Sequence, residues 1–251
     1  MILKSLVLSC VAALGLAGGT ALAGQTYVNG IDPNYPPFAF LNEKLEPSGF
    51  DVDSMNWIAQ KMGFVVKHQA MDWDGIIPSL LAKKIDMICS GMSISPERRE
   101  RVNFSQPYWK IRKYLLIRQD SSLTASELLS GGKTLGVQSG TNEAEYLRER
   151  AGKNGWNYSL KYYDAAYLAI QDLLNNRLDG AAMDSAPAEE AIHKGKKAVK
   201  IVGEFAEQDD FGVAVRKEDA ALLEIINKGY ALLMQDPYWE ELKIKYFSRG
   251  Q

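Results

Sequence analysis

The chain has 251 residues and a formal net charge of −2, with 46% hydrophobic and 24% charged residues. A chain of this length can bury a large core, either as one domain or as two lobes. The near-balanced charge offers no strongly basic composition of the kind that nucleic-acid binding requires, so we expect no nucleic-acid partner.

The first 23 residues are typical of an export signal. Lys4 supplies a positive charge, Leu6 to Leu16 form a short apolar stretch, and Ala21-Leu22-Ala23 is a small-x-small cleavage site. We therefore expect cleavage after Ala23 and a periplasmic mature protein. A lipoprotein processing site at Cys10 is the less favoured alternative, because almost no apolar stretch would precede it. Cleavage after Ala23 would leave Cys89 as the sole cysteine, so no intramolecular disulfide is expected.

The next residues indicate alternating strands and helices. Thr26 to Ile31 predicts a strand, and the following loop, Asp32 to Phe38, contains two consecutive prolines that exclude a helix and a central strand. Tyr35 lies between turn residues of this loop, so we expect its ring to face a cleft. The stretch Gly49 to Asp53 leads into a predicted helix whose apolar face runs from Val52 to Met62, and Gly63 is placed as its C-cap. The order strand, helix, strand favours an α/β fold with mainly parallel sheets.

A second helix-strand-helix pattern carries the first candidate binding loop. Asp74 is placed as the N-cap of an apolar-faced helix, and Ile85 to Ser90 predicts a buried strand. A loop, Gly91 to Ile94, separates this strand from a helix that begins at Ser95-Pro96-Glu97, with Ser as N-cap and Pro in the first turn. Small ligands bind at the carboxyl ends of strands in open α/β sheets, so this loop is a candidate site.

Arg98 follows this loop in the predicted helix. Its guanidinium could grip a carboxylate with two charge-assisted hydrogen bonds. The alternative is that Arg98 belongs to a solvated basic cluster with Arg99 and Arg101. The small-residue loop in front of it favours the binding role.

The second half of the chain repeats this design weakly. Leu80 to Asp86 is echoed by Leu173 to Asp179, and five residues after each Asp lies a polar turn, at Gly91 and at Asp184. The pattern predicts two similar lobes that bring an Arg loop and an Asp loop together, which suits a zwitterion. Residues 24–113 with 212–251 are predicted to form lobe 1, and residues 114–211 to form lobe 2.

Another strand-to-helix turn, Ser139 to Asn142, follows a predicted strand at Leu135 to Gln138. The free N–H groups at a helix start can bind an anion, although an ordinary capped turn would have the same sequence.

Four motifs in this order resemble the periplasmic solute-binding proteins for polar amino acids that serve ABC importers. They are Tyr35-Pro36-Pro37-Phe38, Gly49-Phe50-Asp51-Val52-Asp53, Trp73 to Trp109 and Gln138-Ser139-Gly140-Thr141. The resemblance implies a two-lobed periplasmic-binding-protein fold of type II, with an amino acid held in the interlobe cleft. It also implies a monomer, no cofactor, and an ABC permease of the inner membrane as partner.

The resemblance implies a role for each ligand-binding residue. The ligand carboxylate is expected to bind Arg98, Ser93, Thr141 and Asn142, and the ligand ammonium Asp184, the carbonyl of Gly91 and the hydroxyl of Ser93. The rings of Tyr35 and Trp73 are expected to enclose the ligand side chain. Its far end is expected to face Asp32, Ser90 and Gln138. Met92 belongs to the same binding loop. Asp32 and Asp51 favour a basic side chain, although Asp51 could instead be the N-cap of its helix.

Two alternatives stay open. An enzyme on the same fold, similar to cyclohexadienyl dehydratases, would need a general acid, for which Glu143 is the candidate beside the cleft. Neither His68 nor His193 lies near the proposed site, and no cluster of Cys and His predicts a metal, so we expect no enzyme. A sensory receptor component would have the same cleft.

Overall fold

The computed structural model describes residues 24–153 and 155–248. The predicted export signal and the cleavage site after Ala23 lie outside the described residues. Within the described ranges, no helix combines the length and hydrophobicity needed to cross a membrane.

Strands and helices alternate through most of the chain. The strands are β1 Thr26–Ile31, β2 Asn34–Tyr35, β3 Ala39–Leu41, β4 Pro47–Ser48, β5 Val65–Ala70, β6 Met87–Ile88, β7 Asn103–Phe104, β8 Trp109–Arg118, β9 Lys133–Gln138, β10 Tyr158–Tyr163, β11 Gly180–Asp184, β12 Val199–Phe211 and β13 Ala214–Val215. The α-helices are α1 Phe50–Met62, α2 Ile76–Leu81, α3 Pro96–Arg101, α4 Ala125–Ser130, α5 Asn142–Arg150, α6 Ala166–Leu174, α7 Ser185–Glu189, α8 Ala220–Leu233 and α9 Pro237–Phe247. A 3₁₀ turn at Trp73–Gly75 and a π-helical turn at Glu190–Lys194 complete the helical segments.

The strands form two five-stranded sheets and one small sheet. The first sheet has the order β5-β1-β6-β13-β7, the second β10-β9-β11-β8-β12, and the third β2-β3-β4. In the first sheet β1 is parallel to β5 and β6, and in the second β9 is parallel to β10 and β11. β13 and β8 run antiparallel to their neighbours. At each of these strands the chain has just crossed from the other large sheet. The α/β fold is confirmed, and both sheets are mixed.

Helices cover both faces of each large sheet. In the first sheet, one apolar cluster contains Ile58 of α1 and Ile226 of α8, and another contains Ile76 of α2. In the second, residues of α6 such as Leu173 form one cluster, and those of α4 and α5, such as Leu147, form another. The carboxyl ends of β1, β6, β9 and β11 face a common cleft between the two sheets, as the lining residues described below show.

Local capping predictions are confirmed at the helices that border this cleft, with one exception. The Ser95 hydroxyl accepts a hydrogen bond from the Arg98 backbone N–H at 3.2 Å, and Pro96 occupies the first helical position of α3. Gly63 ends α1 with a φ of 78°. The prediction that Asp74 caps a helix is wrong: Asp74 lies within the 3₁₀ turn, and α2 begins after Gly75 without a side-chain cap.

The predicted strand at 85–90 pairs as a ladder only at Met87–Ile88. On either side of this short ladder, side chains replace the backbone acceptors that a longer ladder would use. The Cys89 N–H donates to Asn29 Oδ1 at 2.7 Å, and the Asp86 carboxylate accepts from the Val28 N–H at 2.9 Å. The chain is thus fixed to β1 while Ser90 and Gly91 are free to turn into the cleft.

The contact between α1 and α8 gives a test of the core. An added Cβ at Gly229 of α8 would lie 2.3 Å from Cγ2 of the fully buried Ile58. We expect Gly229→Ala to lower the free energy of unfolding by about 1–3 kcal/mol, because overpacking outweighs the better helix propensity of Ala. Thermal unfolding measures this change, with Gly75→Ala as control, since nothing lies within 4 Å of its Cβ. Equal stability of the two variants would contradict the tight α1–α8 contact.

Candidate ligand-binding site

The cleft between the two large sheets encloses a cavity of about 20 Å³. From the first half of the chain it is lined by Asp32, Tyr35, Trp73, Ser90, Gly91, Ser93 and Arg98, and from the second by Gln138, Thr141, Asn142, Glu143 and Asp184. Every residue predicted for the site except Met92 therefore lies at this cavity, and Glu143 joins them. The Met92 side chain is fully buried in the apolar cluster beside α2 and lines a neighbouring cavity of about 210 Å³.

Arg98 supplies a buried cation at one side of the cavity. Its guanidinium donates to the carbonyl oxygen of Ser93 at 2.9 Å and to that of Gly140 at 3.1 Å. Its centre lies 5.4 Å from the Trp73 ring centroid. Among the described residues, no carboxylate lies within ion-pair distance of it. Burial lowers the pKa of Arg98, against the opposing influence of Glu143 and other acids, yet a guanidinium stays charged in proteins. The solvated basic cluster is thus not its environment.

The loop at Gly91 is held from the core side by Asp51. The Asp51 carboxylate accepts a hydrogen bond from the Gly91 N–H at 2.6 Å and from the Tyr108 hydroxyl at 2.8 Å. Burial raises the pKa of Asp51 to about 7. The N-cap role predicted for Asp51 is wrong, because α1 has Gly49 at its N-cap without a side-chain cap, and Asp51 lies behind Gly91 instead of among the residues that line the cavity.

Gly91 itself leaves no room for a side chain. Its φ is 60°, and an added Cβ would lie 2.4 Å from Cε1 of the Tyr35 ring. The Gly91 backbone therefore approaches Tyr35 closely, which places this loop directly against the aromatic side of the cavity.

Tyr35 is more enclosed than its sequence context predicts. Only 7% of the residue is exposed, and its ring stacks on Phe38 at a centroid distance of 5.8 Å. Its hydroxyl donates to Asp184 Oδ2 at 2.6 Å. Tyr35 thus contributes a polar tip as well as an apolar edge to the cavity.

Asp184 belongs to an anionic cluster centred on an ammonium that sequence reasoning missed. Lys113 Nζ lies 3.3 Å from Glu143 Oε2, 3.4 Å from Asp184 Oδ1 and 2.8 Å from Asp209 Oδ2. The Lys113 side chain is 3% exposed. Burial and the neighbouring Glu143 raise the pKa of Asp184 to about 7, against the lowering effect of Lys113. The available signal was the alternation of β8, which places Lys113 on the same face as Ile111 and Leu115.

At the far end of the cavity, the polar groups of Asp32 form hydrogen bonds with residues next to both large sheets. The Asp32 N–H donates to Ser90 Oγ at 2.9 Å, and Asp32 Oδ2 accepts from Gln138 Nε2 at 3.0 Å. Burial raises the pKa of Asp32, while its hydrogen bonds to Asn34 and Gln138 oppose this shift.

The start of α5 faces the same cavity. The Thr141 hydroxyl donates to the Gln138 carbonyl at 2.8 Å and accepts from the Ala144 N–H at 3.2 Å, so it acts as the N-cap. The Asn142 amide donates to Asp209 at 3.1 Å. Both side chains are thus committed within the protein, and the first backbone N–H groups of α5 supply the positive end of the helix.

Comparison with known proteins shows the family to which the chain is similar. A profile of the bacterial extracellular solute-binding proteins, family 3, matches residues 27–249. The L-cystine-binding protein TcyJ of Escherichia coli is 30% identical over 88% of this chain and 82% of its own length. The lysine/arginine/ornithine-binding periplasmic protein of the same organism is 32% identical over 94% of this chain and 95% of its own length.

Solved structures share the architecture. An ancestral arginine-binding protein bound to arginine has a TM-score of 0.81 and 34% identity, over 89% of this chain and 98% of that one. The ancestral amino-acid-binding protein AncCDT-1, a precursor of cyclohexadienyl dehydratase, has a TM-score of 0.80 and 29% identity, over 89% and 96% of the two chains. The chain belongs to the bacterial extracellular solute-binding proteins, family 3, which confirms the resemblance indicated by its motifs.

Proposed function

We propose that the protein binds a polar amino acid in the periplasm, by preference a basic one, and delivers it to an ABC permease of the inner membrane. The observation that carries this proposal is one cavity lined by a buried guanidinium, Arg98, and by two buried carboxylates, Glu143 and Asp184. A zwitterion is complementary to this arrangement, because each buried charge then gains an opposite charge.

The α-carboxylate binds Arg98. Two protein carbonyls occupy part of the donor set of the guanidinium, and the remaining N–H groups of its five are available to an anion. The first turn of α5 adds the positive end of a helix on the same side. The α-ammonium binds Asp184 and Glu143, with the Gly91 carbonyl and the Ser93 hydroxyl as further acceptors.

The charge of the cavity supports a basic side chain. Among the residues that the structure describes, Asp32, Glu143 and Asp184 line it, against one lining cation, Arg98. With Lys113 behind Asp184, the lining groups still carry a net negative charge, so a ligand of net positive charge fits best. The Trp73 face would add about 0.5–2 kcal/mol for a cationic side chain. Similarity to an arginine-binding and to a lysine/arginine/ornithine-binding protein supports the same class.

Two lobes close on the ligand in this proposal. Lobe 1 comprises residues 24–113 with 212–251, and lobe 2 comprises residues 114–211. The chain passes between the large sheets just before β8 and just after β12, and these two strands pair from Trp109 with Phe211 to Arg118 with Val199. This pair is the hinge, and the protein acts as a monomer.

A dehydratase is the second candidate, favoured by the position of Glu143 at the cavity and by the likeness to AncCDT-1. A general acid must carry a proton that it can donate. Glu143 instead contacts the buried Lys113 ammonium at 3.3 Å, and this ion pair argues for a binding role. A sensory role would use the same cleft and a different outer surface.

A thermal-shift panel tests the ligand class. Protein unfolded and refolded to remove carried-over ligand is mixed with the twenty amino acids, ornithine, citrulline, prephenate and arogenate. A ligand at about 100 times its Kd adds about 2.7 kcal/mol to the folded state, and each kcal/mol raises Tm by about 2–4 °C at this size. We expect the largest shift with a basic amino acid. A shift with prephenate or arogenate alone would favour the dehydratase.

Arg98→Ala tests the carboxylate contact. Removal of one partner of a buried ion pair costs about 3–5 kcal/mol, so we expect the affinity for every amino acid to fall by at least about 100-fold. Isothermal titration calorimetry measures this loss. Arg99→Ala is the matched control, because Arg99 is the exposed neighbour on the same helix. Similar affinities of the two variants would overturn the assignment.

The raised pKa of Asp184 predicts a pH dependence of binding. An ammonium pairs with the ionised carboxylate, so binding must release a proton wherever Asp184 is protonated in the free protein. We expect the affinity to be highest above pH 7 and to fall as the pH decreases below about 7, the pKa of Asp184. Titrations in a series of buffers check this, and an affinity that rises toward acid pH would contradict it.

A further inference from the structure

The Lys113 ammonium occupies the centre of the anionic cluster. Lys113 is not among the residues that line the cavity. It contacts carboxylates from three separate elements: Glu143 at the start of α5, Asp184 at the end of β11, and Asp209 in β12. In the sheet, Lys113 lies directly opposite Asp184 on β11 and opposite Ala206 on β12. The side chain is therefore fixed by strand pairing at the back of the cavity.

The three carboxylates differ in what they face. Glu143 and Asp184 line the cavity, with 5% and 4% of each residue exposed, whereas Asp209 does not line it and is partly exposed. Two buried carboxylates at one position repel each other, and one of them tends to take up a proton unless a cation lies nearby. Lys113 is that cation in the protein itself.

The other polar groups around the cluster cannot replace this charge. The Tyr35 hydroxyl donates to Asp184 and the Asn142 amide donates to Asp209, and both are neutral. Arg98 donates to the carbonyl oxygens of Ser93 and Gly140 and forms no ion pair with Glu143 or Asp184, although its charge acts on both. On the opposite face of β8, Arg112 is more than half exposed and pairs with Glu204.

We propose that Lys113 is a positioning residue for ammonium recognition: its ammonium lies between Glu143 and Asp184 and offsets the repulsion of the two carboxylates, so that both face the ammonium of the ligand. This inference rests on the proposed function and deepens it. Lys113 contacts one oxygen of each carboxylate, Glu143 Oε2 and Asp184 Oδ1, and Asp184 Oδ2 accepts from the Tyr35 hydroxyl, so the ligand ammonium would use the lone pairs that these contacts leave. The residue thereby sets the pH range over which the site binds an amino acid.

Lys113→Gln and Lys113→Arg test this role by calorimetric titration with L-arginine and with L-glutamine across a range of pH. Loss of the charge raises the pKa of Asp184, because Lys113 lowers it in the wild type, and each unit by which this pKa exceeds the working pH lowers the ionised fraction about tenfold. For Lys113→Gln we expect an affinity about tenfold lower at neutral pH, additional proton release on binding, and recovery at alkaline pH. Lys113→Arg keeps the charge and should keep the pH profile of the wild type.

Asp209→Asn supplies a second test that does not depend on the folding of a Lys113 variant. Asp209 is the partly exposed partner of Lys113, and its removal leaves the ammonium to Glu143 and Asp184 alone. The pKa of Asp184 should then fall, because Asp209 raises it in the wild type. We expect binding by this variant to extend to lower pH, the opposite direction to Lys113→Gln.

The outcomes separate the inference from the function on which it rests. A wild-type protein that binds neither L-arginine nor L-glutamine would overturn both. A wild-type protein that binds, with an unchanged pH profile in Lys113→Gln or Asp209→Asn, would overturn the role of Lys113 alone. A uniform loss of affinity at every pH would also count against it, since that result indicates a structural role only.

Discussion

Burial of charge is the constraint on which the cleft depends. Arg98 and Lys113 lie out of water together with Glu143 and Asp184, and an ion without a partner is costly in such a place. Lys113 receives its compensation from carboxylates within the protein, whereas Arg98 is held by the carbonyl oxygens of Ser93 and Gly140. The two cations thus differ in role. Lys113 neutralises carboxylates of the protein, whereas Arg98 keeps N–H donors available for an anion.

Hydrogen bonds from neighbouring residues fix the groups that are proposed to contact the ligand. Asp51 fixes the Gly91 backbone, and Ser90 fixes the Asp32 backbone. The short ladder at β6 belongs to the same arrangement, because the Asn29 side chain replaces a backbone partner of Cys89 and lets the chain turn. Preorganisation of this kind lowers the entropic cost of binding, since the loop does not have to be ordered by the ligand.

The two sides of the cleft already contact each other through residues of the proposed site. Tyr35 donates to Asp184, Gln138 donates to Asp32, and the Trp73 indole donates to the Gly140 carbonyl at 3.0 Å. A ligand must exchange part of these hydrogen bonds for its own, and only the difference contributes to affinity. In the proposed function, selectivity among amino acids would depend on how well each side chain replaces the Asp32–Gln138 contact.

Sequence alone determined the features that depend on neighbours within a few residues: the cap at Ser95, the Gly63 helix end, and the order of motifs that identifies the candidate binding loops. The tertiary structure decided which charges meet. Lys113 and Asp184 are 71 residues apart in the chain and become neighbours only through the pairing of β8 with β11. Asp51 likewise has the local signature of a helix start, yet its burial against Gly91 follows from packing 40 residues away. Capping is a local interaction, whereas the environment of a buried charge is set by strand register and by the contact between the two sheets.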